Sequence, residues 1–224
     1  MFYNYLKIAL RNLKKFKGYS FINISGLAIG MACCILIFMW VHDELSFNSY
    51  HKKASSIYRV EQDFIYADGT YHVNVTPYPS APVFKDKIPE VVNACRIDRA
   101  EILLSYKNKT FYETNVVGVD PTYFEMFSSD FVRGNRLTAL NQPHNIIINN
   151  EIAEKYFGKE DPIGKTVSIN NSYDFIVTGV FKKLPHNVSN DFQIAFPFEF
   201  FRELGSYNDS WGFNNIFTSS CWFG

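Results

Sequence analysis

The sequence lacks the patterns that mark most catalytic and metal-binding proteins. It has five histidines in 224 residues, and none stands at an H-x-x-x-H or H-E-x-x-H spacing from another. Zinc sites on helices use such spacings. A G-x-S-x-G elbow is absent as well, which removes local support for a serine nucleophile. Adjacent carboxylates such as Asp43 and Glu44 point to different sides of an element. We therefore expect no enzyme activity, catalytic residue, metal or cofactor.

Cysteines are also scarce. Of the four, Cys33 and Cys34 lie inside a long apolar run, which leaves Cys95 and Cys221 as the only pair that could meet outside it. One bridge is not a disulfide framework. The fold must therefore depend on a hydrophobic core.

Charge is missing from one long stretch. Residues 21–41 (FINISGLAIGMACCILIFMWV) contain no charged side chain. As a helix with a rise of about 1.5 Å per residue, this stretch spans about 31 Å, close to the hydrocarbon thickness of a bilayer. A single segment in lipid must satisfy its own backbone hydrogen bonds, and a helix does so. We predict a transmembrane helix over residues 21–41.

A cleaved signal peptide is the main alternative for this run. The apolar core of a signal peptide is about 7 to 15 residues long and ends at an A-x-A-like site. The run here is longer, and no such site ends it. Residues 31–33 (MAC) faintly resemble a lipoprotein cleavage site, but the strongly apolar residues 35–41 follow. The pattern favours an uncleaved anchor.

Small residues recur every four positions within the run, at Gly26, Gly30 and Cys34. In a helix these positions share one face, and small side chains there let another helix approach closely. We therefore predict a helix-packing face at these three residues. Small residues are common in apolar runs, so the spacing could also have no packing role.

The two sides of the run differ in charge. Residues 1–20 contain five basic residues and no acid, although the whole chain has a formal net charge of zero. The part from residue 42 onward therefore carries five more acidic than basic residues. A basic flank beside an apolar span stays in the cytoplasm. This asymmetry places the N-terminus inside and the remainder outside.

Residues 1–20 have helical periodicity. Their apolar side chains recur at the spacing of one helix face, with the basic side chains largely on other faces; the apolar set is Phe2, Leu6, Ala9, Leu10, Leu13 and Phe16. We predict an amphipathic helix on the inner leaflet, followed by a bend at Gly18. An ordinary cytoplasmic tail is the alternative. The predicted membrane-interface residues are Lys14, Lys15 and Lys17 on this side and Trp40 at the far end.

Short strand-like runs separated by turn residues begin after residue 42. They predict a hairpin around Gly69, a helix near 83–88, a second hairpin over 101–119, and a short helix to residue 127 capped by Asp120. Further on they predict a strand at 144–149 and a helix that Asn150 caps and Gly158 ends. Strands are then predicted at 165–169, 173–181 and 192–198, and a last helix at 199–204. This order is typical of an α+β domain with a hairpin-rich sheet.

Residues 158–166 (GKEDPIGKT) look like a phosphate-binding P-loop but do not fit one. The Walker pattern has four residues between its glycines, and this stretch has five. It also follows a predicted helix and opens a strand, which is the reverse of a P-loop. We interpret it as a tight helix-to-strand connection. The many aromatics, 22 Phe and 14 Tyr, are interpreted as core and interface packing.

Several motifs together resemble the start of MacB/FtsX-like ABC transporter permeases. They are residues 5–13 (YLKIALRNL), 20–30 (SFINISGLAIG), 43–47 (DELSF), 57–60 (IYRV), 119–127 (VDPTYFEMF), 153–158 (AEKYFG) and 161–166 (DPIGKT). The resemblance covers most of residues 5–184. It implies a cytoplasmic helix over 1–20, a transmembrane helix over 21–41 and a periplasmic MacB-like core domain over 42–224, in a bacterial inner membrane.

The resemblance also implies a function and partners. In such permeases a cytoplasmic ABC ATPase hydrolyses ATP, and the motion passes through the membrane to the periplasmic domain for efflux, lipoprotein release or hydrolase activation. The permease itself performs no covalent chemistry. The expected partners are the ATPase, membrane lipid, a second permease copy or half, and a periplasmic or outer-membrane protein, but not nucleic acid.

The chain departs from the family pattern in one respect. No apolar run of 18 or more residues follows Val41, so the three later helices of such permeases are missing. We therefore expect a C-terminally incomplete fragment, in which residues 217–224 are a truncation or reading-frame artefact. A membrane-anchored extracytoplasmic sensor or ligand-binding domain is the alternative function.

Overall fold

The structure is a computed structural model that describes residues 2–205 and 220–223. The chain divides into two compact units, Met1–Phe47 and Asn48–Gly224. The described part of the first unit is helical, and that of the second contains strands and short helices. The predicted class, one N-terminal apolar helix followed by a mixed α+β domain, is therefore confirmed.

The first unit consists of α1 (Phe2–Lys15) and α2 (Lys17–Leu45). The break between them lies at Phe16, which has φ −112° and ψ 59°, so the predicted bend at Gly18 is wrong. Helical hydrogen bonds continue on both sides, from the N–H of Phe16 to the carbonyl of Asn12 and from the N–H of Ser20 to that of Phe16. Because φ stays negative at the break, no glycine is required there.

Helix α2 contains the whole predicted span and extends it by four residues at each end. None of its residues is buried. At its C-terminus the backbone N–H of Ser46 donates to the carbonyls of His42 and Asp43, and the Ser46 hydroxyl also donates to Asp43. These bonds satisfy carbonyl groups that the last helical turn would otherwise leave free.

The second unit is built mainly of strands. In chain order they are β1 (Tyr58–Arg59), β2 (Gln62–Tyr66), β3 (Gly69–Val73), β4 (Ala94–Tyr106), β5 (Lys109–Val119), β6 (Phe131–Arg133), β7 (Asn145–Asn149), β8 (Thr166–Ile169), β9 (Tyr173–Phe181), β10 (Ile194–Pro197) and β11 (Ser220–Phe223). The helices are α3 (Ser80–Lys87), α4 (Tyr123–Met126), α5 (Asn150–Phe157) and α6 (Phe200–Glu203). A 3-10 turn, Ala54–Ser56, precedes β1.

The main sheet closes on itself. Its strand order is β1-β11-β4-β5-β10-β7-β9-β6, and β8 pairs with both β4 and β9. Strands β4, β5, β10, β7, β9 and β8 therefore form a closed ring of six. One edge of strand β4 pairs with β5, and the other edge pairs with β11 at residues 94–97 and with β8 at residues 104–105. Hairpin β2–β3 forms a separate two-stranded sheet.

Apolar side chains are buried on both faces of the central strands. On β7, Ile146 and Ile148 belong to one core cluster and Ile147 to another. The same alternation separates Val116 from Val117 on β5. Successive residues of a strand point to opposite faces, so both faces are covered, and β7 has no exposed residue.

Turn chemistry explains the hairpins. Gly69 has φ 156° at the β2–β3 turn. Asn170 and Asn171 have φ 53° and 55° between β8 and β9, in the left-handed region that asparagine tolerates. Lys107 has φ 53° between β4 and β5. The predicted hairpins around Gly69 and over residues 101–119 are confirmed, although β4 begins earlier, at Ala94. The predicted strands at 165–169 and 173–181 pair as a third hairpin.

Two predicted helix caps are wrong. Asn149, one residue before the predicted Asn150, caps α5, because its side chain accepts the N–H of Ile152 at 2.8 Å. Asn150 instead accepts the N–H of Lys183. Asp120 does not cap α4, whose N-cap is Thr122. The Asp120 carboxylate instead accepts hydrogen bonds from the backbone and side chain of Arg96. Gly158 ends α5 as predicted, with φ 61°.

The C-terminal tail includes a strand of the main sheet. Strand β11 pairs antiparallel with β4 and with β1. The sequence indicated no strand in the tail, and residues 217–219 of the predicted artefact lie outside the described residues. In the register, Trp222 faces Cys95 and Cys221 faces Arg96. Cys95 is buried, and its thiol donates to the carbonyl of Arg96 at 3.3 Å.

Candidate functional site

Helix α2 is the one described helix long and apolar enough to cross a membrane. The side chains of the predicted interface residues Lys14, Lys15, Lys17 and Trp40 are all exposed. Along a helix, Lys17 and Trp40 are separated by about 35 Å, slightly more than the hydrocarbon thickness of a bilayer. Basic and indole groups therefore bracket the apolar part of α2 at the spacing of two membrane surfaces.

The predicted small-residue face has no neighbour in the described part of the chain. A Cβ added at Gly26 or Gly30 would meet no heavy atom within 4 Å. Cys34, on the same face, is an exposed free thiol. The face is therefore open to another helix or to lipid.

On α1, Tyr3, Tyr5, Ile8 and Leu13 are exposed, as is Phe16 at the break that follows. The basic residues of the helix are exposed as well. The side chains of Phe2, Leu6, Ala9 and Leu10, which form most of the predicted apolar face, lie outside the described residues.

Asn48, three residues after the end of α2, forms hydrogen bonds with the loop that contains Asn187 and Ser189. Its side-chain Nδ2 donates to Ser189 Oγ at 2.7 Å, and its Oδ1 accepts the N–H of Ser189 at 2.8 Å. The backbone N–H of Asn48 donates to the carbonyl of Asn187 at 2.8 Å. Asn48 has φ 59°, a conformation that asparagine adopts more readily than most residues. Its residue type thus fits both the backbone and the contacts.

His51, three residues further along the chain, forms a hydrogen bond with the loop after α4. The backbone N–H of Ser128 donates to His51 Nδ1 at 3.2 Å, and Ser128 Oγ accepts the N–H of Lys52 at 3.0 Å. The His51 ring packs edge-on against Phe127 and is 5% exposed. Burial lowers the pKa of His51 below its ordinary value, so the neutral imidazole is favoured.

An ion cluster centred on the buried Arg96 joins strand β4 to the ends of β5 and β10, and its third member, Glu199, is half exposed. Arg96 donates from Nε and Nη2 to the two oxygens of Asp120, at 2.9 and 2.7 Å, and from Nη2 to Glu199 at 3.0 Å. The guanidinium carbon lies 4.2 Å from the ring centroid of Phe198. The two Nη2 contacts and the ring hold the arginine in one position.

Asp98, two residues along β4, has an unusual environment. The hydroxyl of Tyr78 donates to its Oδ2 at 2.8 Å. Burial raises the pKa of Asp98 to about 6, against the lowering effect of the hydrogen bonds from Tyr78 and the Arg99 backbone. A carboxyl that titrates near neutrality can mark a functional site. Here the partners of the carboxyl are the Tyr78 hydroxyl and the Arg99 backbone.

A second buried carboxylate lies under α5. Glu113 is 7% exposed, and its Oε1 accepts from Lys155 Nζ and from the Tyr156 hydroxyl, both at 2.6 Å. Lys155 also lies 4.4 Å from the ring centroid of Phe111. Burial is the largest cause that raises the pKa of Tyr156. The cluster ties α5 to β5 and has a structural role.

The P-loop-like stretch is a helix-to-strand connection, as the sequence predicted. It leads from α5 to β8. The backbone N–H of Gly164 donates to the carbonyl of Val177, and that of Lys165 to the carbonyl of Pro162. Phosphate binding by a P-loop depends on backbone N–H groups that point at the ligand, and these two are used inside the protein.

The described residues contain no group of three or more His, Cys, Asp or Glu side chains that could hold a metal ion. The sequence did not indicate the two ion clusters, because each joins residues that are far apart along the chain. Arg96 and Glu199 are 103 positions apart. Of these residues, Asp120 was singled out from the sequence, but as the cap of the following helix.

Comparison with protein families finds a match. The model of the MacB-like periplasmic core domain matches residues 20–219. The match begins inside α2 and extends through the second unit. A comparison with curated proteins finds no match.

Solved structures share the fold. A domain of a Porphyromonas gingivalis protein described as a permease has a TM-score of 0.64 and 21% identity, and the alignment covers 77% of this chain and 74% of that one. The extracellular domain of the noncanonic ABC-type transporter YknZ from Gram-positive bacteria has a TM-score of 0.51 and 20% identity, with 67% and 73% covered.

Proposed function

Because this chain belongs to the MacB-like periplasmic core domain family, we propose that it is a permease subunit of an ABC transporter of the MacB/FtsX type. The observation that carries the proposal is the extent of the match, which takes in most of α2 and the second unit together. A cytoplasmic ATPase would hydrolyse ATP, and α2 would pass the resulting motion to the second unit for export or efflux. The permease would perform no covalent chemistry.

The family and the apolar helix α2 together indicate a membrane-anchored protein with a periplasmic domain. We infer that the membrane is the bacterial inner membrane. The basic residues before α2 support an orientation with the N-terminus in the cytoplasm. In that orientation α1 lies at the cytoplasmic surface, with Lys14, Lys15 and Lys17 near anionic head groups, and Trp40 lies at the periplasmic surface.

The open face at Gly26, Gly30 and Cys34 supports a role in helix packing. Small residues let two helix backbones approach closely in lipid, and no described part of this chain fills that space. We propose that this face packs on other transmembrane helices of the assembled permease, either its own or those of a second copy. A periplasmic or outer-membrane protein would be a further partner.

The partner ATPase tests the function directly. The full chain is cross-linked in its native membranes, purified and analysed by mass spectrometry and by ATP hydrolysis. We expect an ABC ATPase with an intact Walker motif to co-purify in stable amounts. Recovery of a cytoplasmic signalling protein in its place would favour the sensor alternative and contradict the transport proposal.

The packing face is tested in the assembled permease. Replacing Gly26 and Gly30 by isoleucine should reduce assembly or transport, because the branched side chains hold the neighbouring helix away. Ala28→Ile is the matched control, since position 28 lies on the opposite face of the helix. Unchanged assembly and transport in the double variant would contradict the packing role.

A further inference from the structure

The segment that follows α2 is attached to the second unit by two separate sets of contacts. We name residues 48–56 the exit segment. At one end Asn48 binds the loop at Asn187 and Ser189. At the other end His51 and Lys52 bind Ser128, and Lys53 Nζ donates to the carbonyl of Glu125 at 3.1 Å. The two sets differ in one respect, because only the second depends on a group that titrates near neutral pH.

The hydrogen bond at His51 requires the neutral ring. A backbone N–H can only donate, so Nδ1 must be the nitrogen without a proton, and Nε2 carries the single ring proton. A second proton would have to be added at Nδ1, where the Ser128 N–H already points. The imidazolium would then place two donors against each other in a buried site, so this bond would break.

In the part of the chain that the structure describes, no acid forms an ion pair with His51. The titratable and charged groups on its own segment are Tyr50, Lys52 and Lys53, and those on the loop after α4 are Glu125 and Asp130. His186 lies beside the third element, the Asn187–Ser189 loop. The Glu125 carboxylate accepts from Asn93, and Asp130 lies near Tyr50 and Lys182. Among the described residues, none of these groups forms an ion pair with His51.

A proton can reach the ring. A cavity of about 40 Å³ is lined by Asn48, His51, Ala54, Ile57, Phe127 and Ser189. This volume is enough for a water molecule, which needs roughly 10 to 15 Å³ measured in this way. The cavity lies between the two sets of contacts and has polar groups from both, so solvent can exchange protons with His51 without unfolding the domain.

We propose that the exit segment is a proton-sensitive clasp: neutral His51 holds it closed on Ser128, and protonation releases that end while Asn48 keeps the other end attached. The clasp would thereby set how firmly the chain leaving α2 is held to the sheet. Its effect on transport rests on the proposed function, whereas opening and closing are properties of this chain alone.

The direction of the pH effect follows from the buried ring. Because the pKa of His51 is lowered in the folded protein, the neutral ring and its contacts stabilise the fold fully above the ordinary histidine range. This contribution is lost as the pH falls through the lowered value. The clasp is therefore closed at neutral pH and opens only as the pH falls below the ordinary histidine range.

Amide hydrogen exchange of the full chain in lipid nanodiscs tests the clasp without any ATPase or substrate. Protection factors, corrected for the intrinsic pH dependence of exchange, are compared at about pH 8 and about pH 5. We expect protection of the Ser128 amide to fall by about tenfold or more at the lower pH. The Asn48 amide, which donates to Asn187, should change by less than about twofold. An unchanged Ser128 amide would overturn the proposal.

Two kinds of variant identify the responsible group. In His51→Gln the side-chain oxygen can still accept the Ser128 N–H but does not titrate, so protection should be high at both pH values. His144→Gln is the matched control, since His144 lies at a different site, 2.8 Å from Glu203, and should retain the fall. Asp98→Asn should also retain it. A fall that persists in His51→Gln would assign the effect to another group.

A measurement on the unmodified chain covers the case in which His51→Gln does not fold. The protonation of His51 is followed by NMR of labelled histidine rings, with His144 as an internal reference. The midpoint for His51 should coincide with the midpoint for loss of Ser128 protection. Two clearly different midpoints would contradict the clasp, whether or not the chain is part of a transporter.

Discussion

Asn48 and Ser189 are 141 positions apart in the sequence and exchange two hydrogen bonds, at 2.7 and 2.8 Å. Asn48 is the first residue of the second unit and comes three residues after the end of α2. The contact therefore attaches the chain that leaves the apolar helix to a loop just before β10.

Asn48 should contribute to stability through both its side chain and its backbone. Asn48→Gly keeps the left-handed backbone and removes both side-chain bonds, so we expect it to lower the free energy of unfolding by about 1 to 2 kcal/mol. Asn48→Ala should cost roughly 1 kcal/mol more, because φ is positive. Denaturant unfolding of the full chain in detergent measures both. Equal effects of the two variants would contradict the backbone argument.

Asp98 should make the second unit less stable at neutral pH than in mild acid. Its pKa is about 6 when folded and 3.8 in the reference state, so between these values the folded protein binds more protons than the unfolded chain. Stability from this group is therefore full at low pH and is lost as the pH rises through 6.

Asp98→Asn should remove this loss, because the amide oxygen can still accept from Tyr78. We expect a gain of about 1 to 3 kcal/mol at about pH 8 and little change at about pH 4. Denaturant midpoints across this range test it, with Asp174→Asn at an exposed position as the control. A variant that is less stable than the parent at the higher pH would contradict the effect of burial.

Gly118 should tolerate no side chain. A Cβ at this position would overlap the ring of Phe201 and lie 3.1 Å from Phe196 Cε2. Overpacking a core in this way costs typically 1 to 3 kcal/mol, so we expect Gly118→Ala to lower stability by about 2 kcal/mol. Gly26→Ala is the matched control, since a Cβ there meets nothing within 4 Å. Equal thermal midpoints for the two variants would contradict the packing described for β5.

The hydroxyl of Tyr123 is buried without a hydrogen-bond partner among the described residues. Tyr123→Phe removes it and keeps the ring stacked on Phe127, so we expect no loss of stability and a gain of up to about 1 kcal/mol. Tyr156→Phe is the contrasting variant, because its hydroxyl donates to buried Glu113. It should lose about 1 to 3 kcal/mol. The reverse order of the two melting temperatures would contradict this assignment.

The sequence predicted the local elements well because their signals are local. Gly69 and the pair Asn170–Asn171 supply the backbone conformations that hairpin turns need, and all three have positive φ. The apolar run predicted helix α2 correctly, because length and composition are enough to identify a helix of this kind. The cap of α5 was predicted one residue late, at Asn150, because the side chain of either asparagine could accept a backbone N–H of the first helical turn.

The closure of the sheet and the ion clusters could not be predicted in the same way. Strand β8 was predicted as a hairpin partner of β9, but nothing in its four residues indicates the second pairing with β4. Asp120 was predicted to cap the nearest helix, but its carboxylate accepts a hydrogen bond from Arg96, which lies 24 positions earlier. Such contacts depend on how distant elements meet, and a single sequence carries no direct record of that.

We propose an orientation in which α2 crosses the inner membrane with the second unit on the periplasmic side. Its most direct test is labelling of single cysteines in cells with a permeabilised outer membrane, after the four native cysteines have been replaced. Lys87→Cys, at a side chain 74% exposed in the second unit, should react with an impermeant maleimide. Lys7→Cys, before the span, should react only after the inner membrane is disrupted. Labelling of Lys7→Cys in intact spheroplasts, with Lys87→Cys protected, would contradict the orientation and the proposed function with it.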